Sequence, residues 1–140
     1  MKHIKIICAG KLREAYWRDA CAEYIKRLTP YCKLEIIEIK EFNEAVRLRI
    51  KGMYAAALCV EGGATSSEQL AGFIKKSHNN PLDLCFIIGG ADGIPDDIKK
   101  SAQRRVSFSE MTFPHQMMRV ILLEQIYRAY NIIEGGSYHK

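Results

Sequence analysis

Three side chains able to do chemistry stand at the end of the sequence: Tyr138, His139 and Lys140, just beyond the pair Gly135 and Gly136. Terminal residues commonly fray, so this ending is either an untethered tail or a bent arm that carries a phenol, an imidazole and an ammonium to a substrate. His139 is the member whose ordinary pKa, about 6.5, lets it exchange a proton near neutrality. Upstream, Glu124, Arg128 and Asn131 recur at helical spacing on one narrow stripe, with His115 and Arg119 on nearly the opposite one. Glu124 and Arg128 fit an i,i+4 ion pair. The same placement would let Arg128 reach a phosphate or a reacting base.

Two other stretches, "VEGGATS" and "IIGGADGIP", follow apolar runs with a glycine pair. Glycines let backbone come close to a ligand with no Cβ in the way, and a tight strand-to-helix turn would use them equally well. Neither stretch is a GxGxxG dinucleotide fingerprint, and there is no GxxxxGK[ST] phosphate loop, GxSxG elbow or HExxH pair. Dinucleotide-dependent, P-loop and common hydrolytic chemistries therefore lack their usual parts.

The elements that must position these residues alternate. "HIKIICAG", "KLEIIEI", "YAAALCV", "LDLCFII" and "RRVSFS" read as strands. Between them, "REAYWRDACAEYIKRL" places Trp17, Ala20, Cys21, Tyr24 and Leu28 on one helical face, and a weaker helical stretch surrounds "FNEAVRLRIKG". Ser66 and Gln69 fit a capping box that opens "SEQLAGFIKKSH", and Pro95 and Pro114 suit helix starts before "DDIKKSAQ" and "HQMMRVILLEQIYRAYNII". Five strand–helix alternations predict an α/β fold, a mostly parallel sheet with helices on both faces. Ligands in such folds bind beyond the carboxyl ends of the strands, which directs attention to three loops: "EGGATS", "GGADGIP" and "SEMTF".

At 140 residues the chain suits a single domain spanning 1–140. A net charge of +5 leaves a polyanionic partner open. Five cysteines without a CxxC pair predict free thiols in a reducing compartment, with no disulfide framework or metal site. No apolar run approaches the roughly 20 residues of a membrane span, and lysines interrupt the first apolar stretch before a signal-peptide core could form; a cytoplasmic protein is expected. The last helix is apolar around so much of its circumference, from Met117 to Tyr130, that part of it is expected to pack against a second copy in a homodimer.

"FIIGGADG", "SFSEMTFPHQMMRVILLEQIYRAY" and the final "YHK", with "YWRDACAEYIKRL" near the start, resemble the bacterial large-subunit ribosomal RNA methyltransferase H family, the pseudouridine N3-methyltransferases of the SPOUT superfamily. The resemblance runs along nearly the whole chain, and the segment after the second strand looks shorter than the family's. It implies a carboxy-terminal trefoil knot and S-adenosylmethionine as methyl donor, with no metal. It also implies a donor pocket built from Leu58, Gly89, Gly90, Phe108, Ser109, Glu110, Met111, Thr112 and Phe113. By the same resemblance, Tyr138 and His139 of one subunit would reach the donor held by the other, with Arg128 beside the substrate. That substrate would be a pseudouridine of 23S rRNA on the assembled ribosome, with Lys11, Arg13, Arg104, Arg105 and Lys140 offering part of a basic footprint. A SPOUT enzyme acting on tRNA and a non-catalytic dimeric ribosome-binding protein are the alternatives.

Overall fold

A computed structural model describes all 140 residues. Five strands, β1 (Lys2–Ala9), β2 (Cys32–Ile39), β3 (Tyr54–Ala64), β4 (Leu84–Ile88) and β5 (Arg104–Ser107), alternate with five helices. The helices are α1 (Ala15–Leu28), α2 (Glu44–Lys51), α3 (Ser67–Ser77), α4 (Asp96–Ser101) and α5 (His115–Ile133). The strands form one sheet in the order β2-β1-β4-β3-β5, and every pairing is parallel.

Side-chain alternation along the central strands feeds two cores. Ile4, Ile6 and Cys8 of β1 and Leu84, Phe86 and Ile88 of β4 pack with Leu28 of α1, Leu70 and Ile74 of α3 and Leu122 and Ile126 of α5. Ile7 and Cys85 face the other way, toward Ile50 of α2 and Ile98 of α4. Helices therefore cover both faces, and all five residues of β4 are buried, as a parallel strand covered on both faces must be.

Helix starts follow local chemistry. Ser66 and Gln69 close the expected capping box, and the Asn43 side chain accepts from the Val46 N–H to open α2. Pro95 and Pro114 stand at the N-cap position, one residue before the first turn where the sequence suggests them.

One expectation is corrected. "EGG" does not end β3 as a loop; the strand continues through the glycines to Ala64. Val106 of β5 lies opposite both Leu58 and Gly63, so residues 59–62 bulge out between two stretches of pairing. At Gly62 a Cβ would come within 2.9 Å of the Val106 backbone nitrogen, so the glycine serves a backbone-to-backbone approach.

Candidate active site

The carboxyl ends of β3, β4 and β5 open onto one cavity of about 360 Å3. Leu58 and Cys59 come from β3, Gly89 and Gly90 from the loop after β4, and Phe108, Ser109, Met111, Thr112 and Phe113 from the loop after β5. The cavity thus gathers eight of the nine residues in the expected donor pocket. The ninth, Glu110, lies on a neighbouring cleft with Ser66 and Gln69.

Backbone geometry keeps the cavity clear. A Cβ on Gly89 would sit 2.5 Å from the Gly93 carbonyl carbon, and one on Gly90 would sit 3.2 Å from the Ala9 Cβ. Gly93, at φ +75°, completes the turn, donating to the Gly90 carbonyl at 3.0 Å. Across the cavity, Ser109 Oγ accepts from the Met111 N–H at 3.0 Å, and Ser107 Oγ donates to the Ser109 carbonyl at 2.9 Å. These bonds shape the loop while leaving the Met111 side chain 72% exposed.

Several other wall residues were not expected in the donor pocket. Cys59, Glu61, Lys99, His115 and Met118 all line the cavity, and Glu61 and Lys99 form an ion pair there. The Lys99 ammonium holds the Glu61 carboxyl below its usual range. His115 was recoverable: it opens the helix that follows the β5 loop, and so stands at the strands' carboxyl edge. Burial raises the Cys59 thiol pKa, with the Glu61 charge adding to it.

Four residues below His115, Arg119 is 2% exposed. Its guanidinium donates to Glu38 at 2.7 Å and to the Gly10 carbonyl at 3.2 Å, tying α5 to the ends of β1 and β2. Its Nε has no partner.

The tail is ordered against its own chain. Gly135, at φ +72°, terminates α5, and the Gly136 N–H donates to the Asn131 carbonyl at 2.8 Å. Tyr138 then donates its hydroxyl to Glu124 Oε2 at 2.7 Å, with its ring 4.8 Å from the Arg128 guanidinium carbon. Glu124 also accepts from Arg128 Nη2 at 2.7 Å, so the i,i+4 pair forms and the tail closes over it.

His139 lies between opposite charges. Arg128 Nη1 stands 3.0 Å from its Nδ1, and Glu68 Oε1 stands 2.7 Å from its Nε2. Glu68 is the partner that no sequence pattern indicates, lying 71 positions away. Burial and the bond to Glu124 push the Tyr138 phenol pKa well above its ordinary value, which keeps it a donor. Tyr138, His139 and Arg128 are thus brought together, but none of them lines the cavity of its own chain.

No group of three or more His, Cys, Asp or Glu side chains is arranged to hold a metal ion, and no helix is long and apolar enough to cross a membrane.

Known proteins share this framework. The family model described as "Predicted SPOUT methyltransferase" matches residues 1–139. The chain is 43% identical to the ribosomal RNA large subunit methyltransferase H of Clostridioides difficile, over 99% of both chains. Among solved structures, a methylase family protein from Neisseria gonorrhoeae superposes with a TM-score of 0.61 at 9% identity, covering 90% of this chain and 82% of that one. The SpoU methyltransferase AviRb from Streptomyces viridochromogenes, solved in complex with the cofactor AdoMet, superposes at 0.51 and 10% identity, covering 95% of this chain and 58% of that one. The parallel sheet and the near-complete match to both the family model and the relative lead to one statement: this chain belongs to the SPOUT methyltransferases, in the family of the ribosomal RNA large subunit methyltransferases H.

Proposed function

We propose that this protein methylates N3 of a pseudouridine in 23S rRNA on the assembled ribosome, with S-adenosylmethionine as donor and a homodimer as the active form. The observation that carries the proposal is the clamp on His139: a proton-exchanging side chain held between Arg128 and Glu68, within a cluster that no single chain brings into its own cavity.

The cavity fits the donor. Its volume is within the range of pockets for molecules of this size, its walls offer apolar surface for an adenine, and its glycine floor exposes main-chain groups for the base edge. Leu58, Gly89, Gly90, Phe108, Ser109, Met111, Thr112 and Phe113 would hold the donor, whose sulfonium supplies an electrophilic methyl group. Glu110 would act from the adjoining cleft. The knot implied by the resemblance would place the β5 loop over this pocket.

Completing the site takes a second copy. Every residue of α5 is at least partly buried, yet Met117, Val120, Ile121 and Tyr127 keep part of their apolar surface open. Pairing through this helix in a symmetric dimer would cover that surface and carry each tail toward the partner's cavity.

The edge of a uracil-type ring presents an N3–H between two carbonyl oxygens. As the base enters, an Arg128 N–H moves from His139 to a ring carbonyl, and the Nδ1 lone pair of His139 turns to the N3–H. Transfer of the N3 proton to Nδ1 would free the N3 lone pair to accept the methyl group that a bound donor's sulfonium would supply. Glu68 stabilises the imidazolium that results. Holding nitrogen and carbon in line at near-attack distance supplies much of the rate.

The test is transfer of labelled methyl from S-adenosylmethionine to purified bacterial ribosomes, with ribosomes lacking the pseudouridine and free tRNA in parallel. Label on the pseudouridine-containing ribosomes alone is the expected result. Label on tRNA alone, or on nothing while the donor still binds, would reject the substrate assignment.

A further inference from the structure

The basic residues of the chain divide by whether the fold already uses them. Arg105 donates to the Lys99 carbonyl, Arg104 covers the Phe73 ring at 5.6 Å, and Arg18 donates to the carbonyls of Leu12 and Arg13. Lys11 and Arg13 are exposed and pair with no carboxylate. Arg18 therefore fixes the loop from which these two free cations project.

The same loop leads into Tyr16, which is 63% exposed and braced edge-to-face by Trp17 at 5.0 Å. Its place on α1 excludes a role in the core. The inner face of that helix carries Cys21 and Leu28, both buried, whereas Tyr16 shares the outer face with Asp19, Glu23 and Arg27, all exposed. An exposed aromatic ring a few residues from free cations, on a segment that Arg18 holds in place, suits a stacked base whose phosphates lie alongside.

Position connects this platform to the cavity. Gly10 begins the loop, and a Cβ there would lie 3.9 Å from His115 Nε2, a cavity wall. Ala9, just before it, packs under Gly90. The platform and the cavity therefore share the carboxyl rim of the sheet.

We infer that Tyr16, with Lys11 and Arg13, is an RNA-docking surface on which an unpaired nucleotide flanking the target stacks. The inference rests on the reading of the protein as an RNA methyltransferase, and it places RNA recognition on α1, outside the chemistry.

Two measurements test it separately from that reading. Steady-state methylation of ribosomes by Tyr16→Ala should show a KM for ribosomes raised about tenfold, with kcat and donor affinity unchanged and Tyr16→Trp near wild type. Binding of a fluorescent single-stranded RNA decamer, followed by anisotropy, should weaken by a similar factor in Tyr16→Ala. In Lys11→Ala/Arg13→Ala the slope of log K against log salt should fall in magnitude by about 1.4. The decamer arm stands even if ribosomes prove not to be the substrate. Unchanged KM and unchanged decamer binding in Tyr16→Ala would overturn the inference. So would loss of the dimer by sedimentation, which would make Tyr16 a contact between copies.

Discussion

Arg128 Nη1 and His139 Nδ1 face each other at 3.0 Å, and a guanidinium can only donate. The Nδ1 atom must therefore accept, which leaves the ring proton on Nε2, directed at Glu68. This pose fixes the tautomer a base acting through Nδ1 requires, while Arg128 occupies the lone pair until a substrate takes the arginine's place. Arg128→Gln is expected to lower kcat for methyl transfer by about 100-fold or more, with donor binding by calorimetry unchanged. Equal losses in both would move Arg128 into the donor pocket.

Glu68 adds a pH dependence. The hydrogen bond from His139 holds its carboxyl below the ordinary 4.5, so its hold on the tail is fully present above that value and is lost as pH falls through the depressed one. The protection of the Gly136 amide, its exchange rate taken relative to the intrinsic rate at each pH, should thus be high at neutral pH and fall under acid before the core opens. Glu68→Gln should show the faster exchange already at pH 7. Equal exchange in variant and wild type at neutral pH would mean that Glu124 and Arg128 hold the tail unaided.

Two glycines should respond oppositely to alanine. At Gly89 the new Cβ meets Gly93 and Ile94 backbone at 2.5 and 2.7 Å, so the turn must distort and donor affinity should fall tenfold or more. At Gly72, within α3, nothing lies within 4 Å, and the helix should gain about 0.5–1 kcal/mol. Thermal unfolding should show a raised Tm for Gly72→Ala with activity retained. A lowered Tm there would contradict the open space beside α3.

Much of this was open to the sequence and some was not. The short unbroken run Leu84–Ile88 reads as a strand, and Ser66 and Gln69 announce a helix start because capping is local chemistry. The glycines after Val60 mislead, because what keeps them in β3 is Val106 of another strand. Glu68 and His139 meet only through the packing of α3 on α5, which no periodicity encodes. The loop Phe108–Phe113 has no regular period; the strand-end rule points to it as a loop, and the resemblance alone assigns its residues to a donor pocket.

Cys59 offers a probe of the cavity that does not depend on turnover. Cys8, Cys21, Cys32 and Cys85 are buried, and burial pushes the Cys8 and Cys85 thiols up to about 12. Cys59, half-buried on the cavity wall, should be the first to react with iodoacetamide, at a rate that climbs through and beyond the ordinary thiol range because its pKa is raised too. S-adenosylmethionine should protect it. Labelling at an undiminished rate with donor bound would place the donor elsewhere.

The separation of the tail cluster from the cavity makes the last prediction the most discriminating. A His139→Ala chain keeps its cavity and loses its proton acceptor; a Gly89→Ala chain loses its cavity and keeps its tail. With the donor held well below the weakened affinity of the Gly89→Ala cavity, each homodimer should be nearly inactive. If the site is shared between copies, unfolding and refolding an equal mixture puts one intact cavity opposite one intact tail in half of the dimers. The mixture should then recover about a quarter of wild-type activity. A site built within one chain predicts no recovery at any mixing ratio, since neither chain then holds both halves. Recovery that tracks the heterodimer fraction across mixing ratios would therefore require His139 to act on a substrate whose methyl donor is bound by the other subunit.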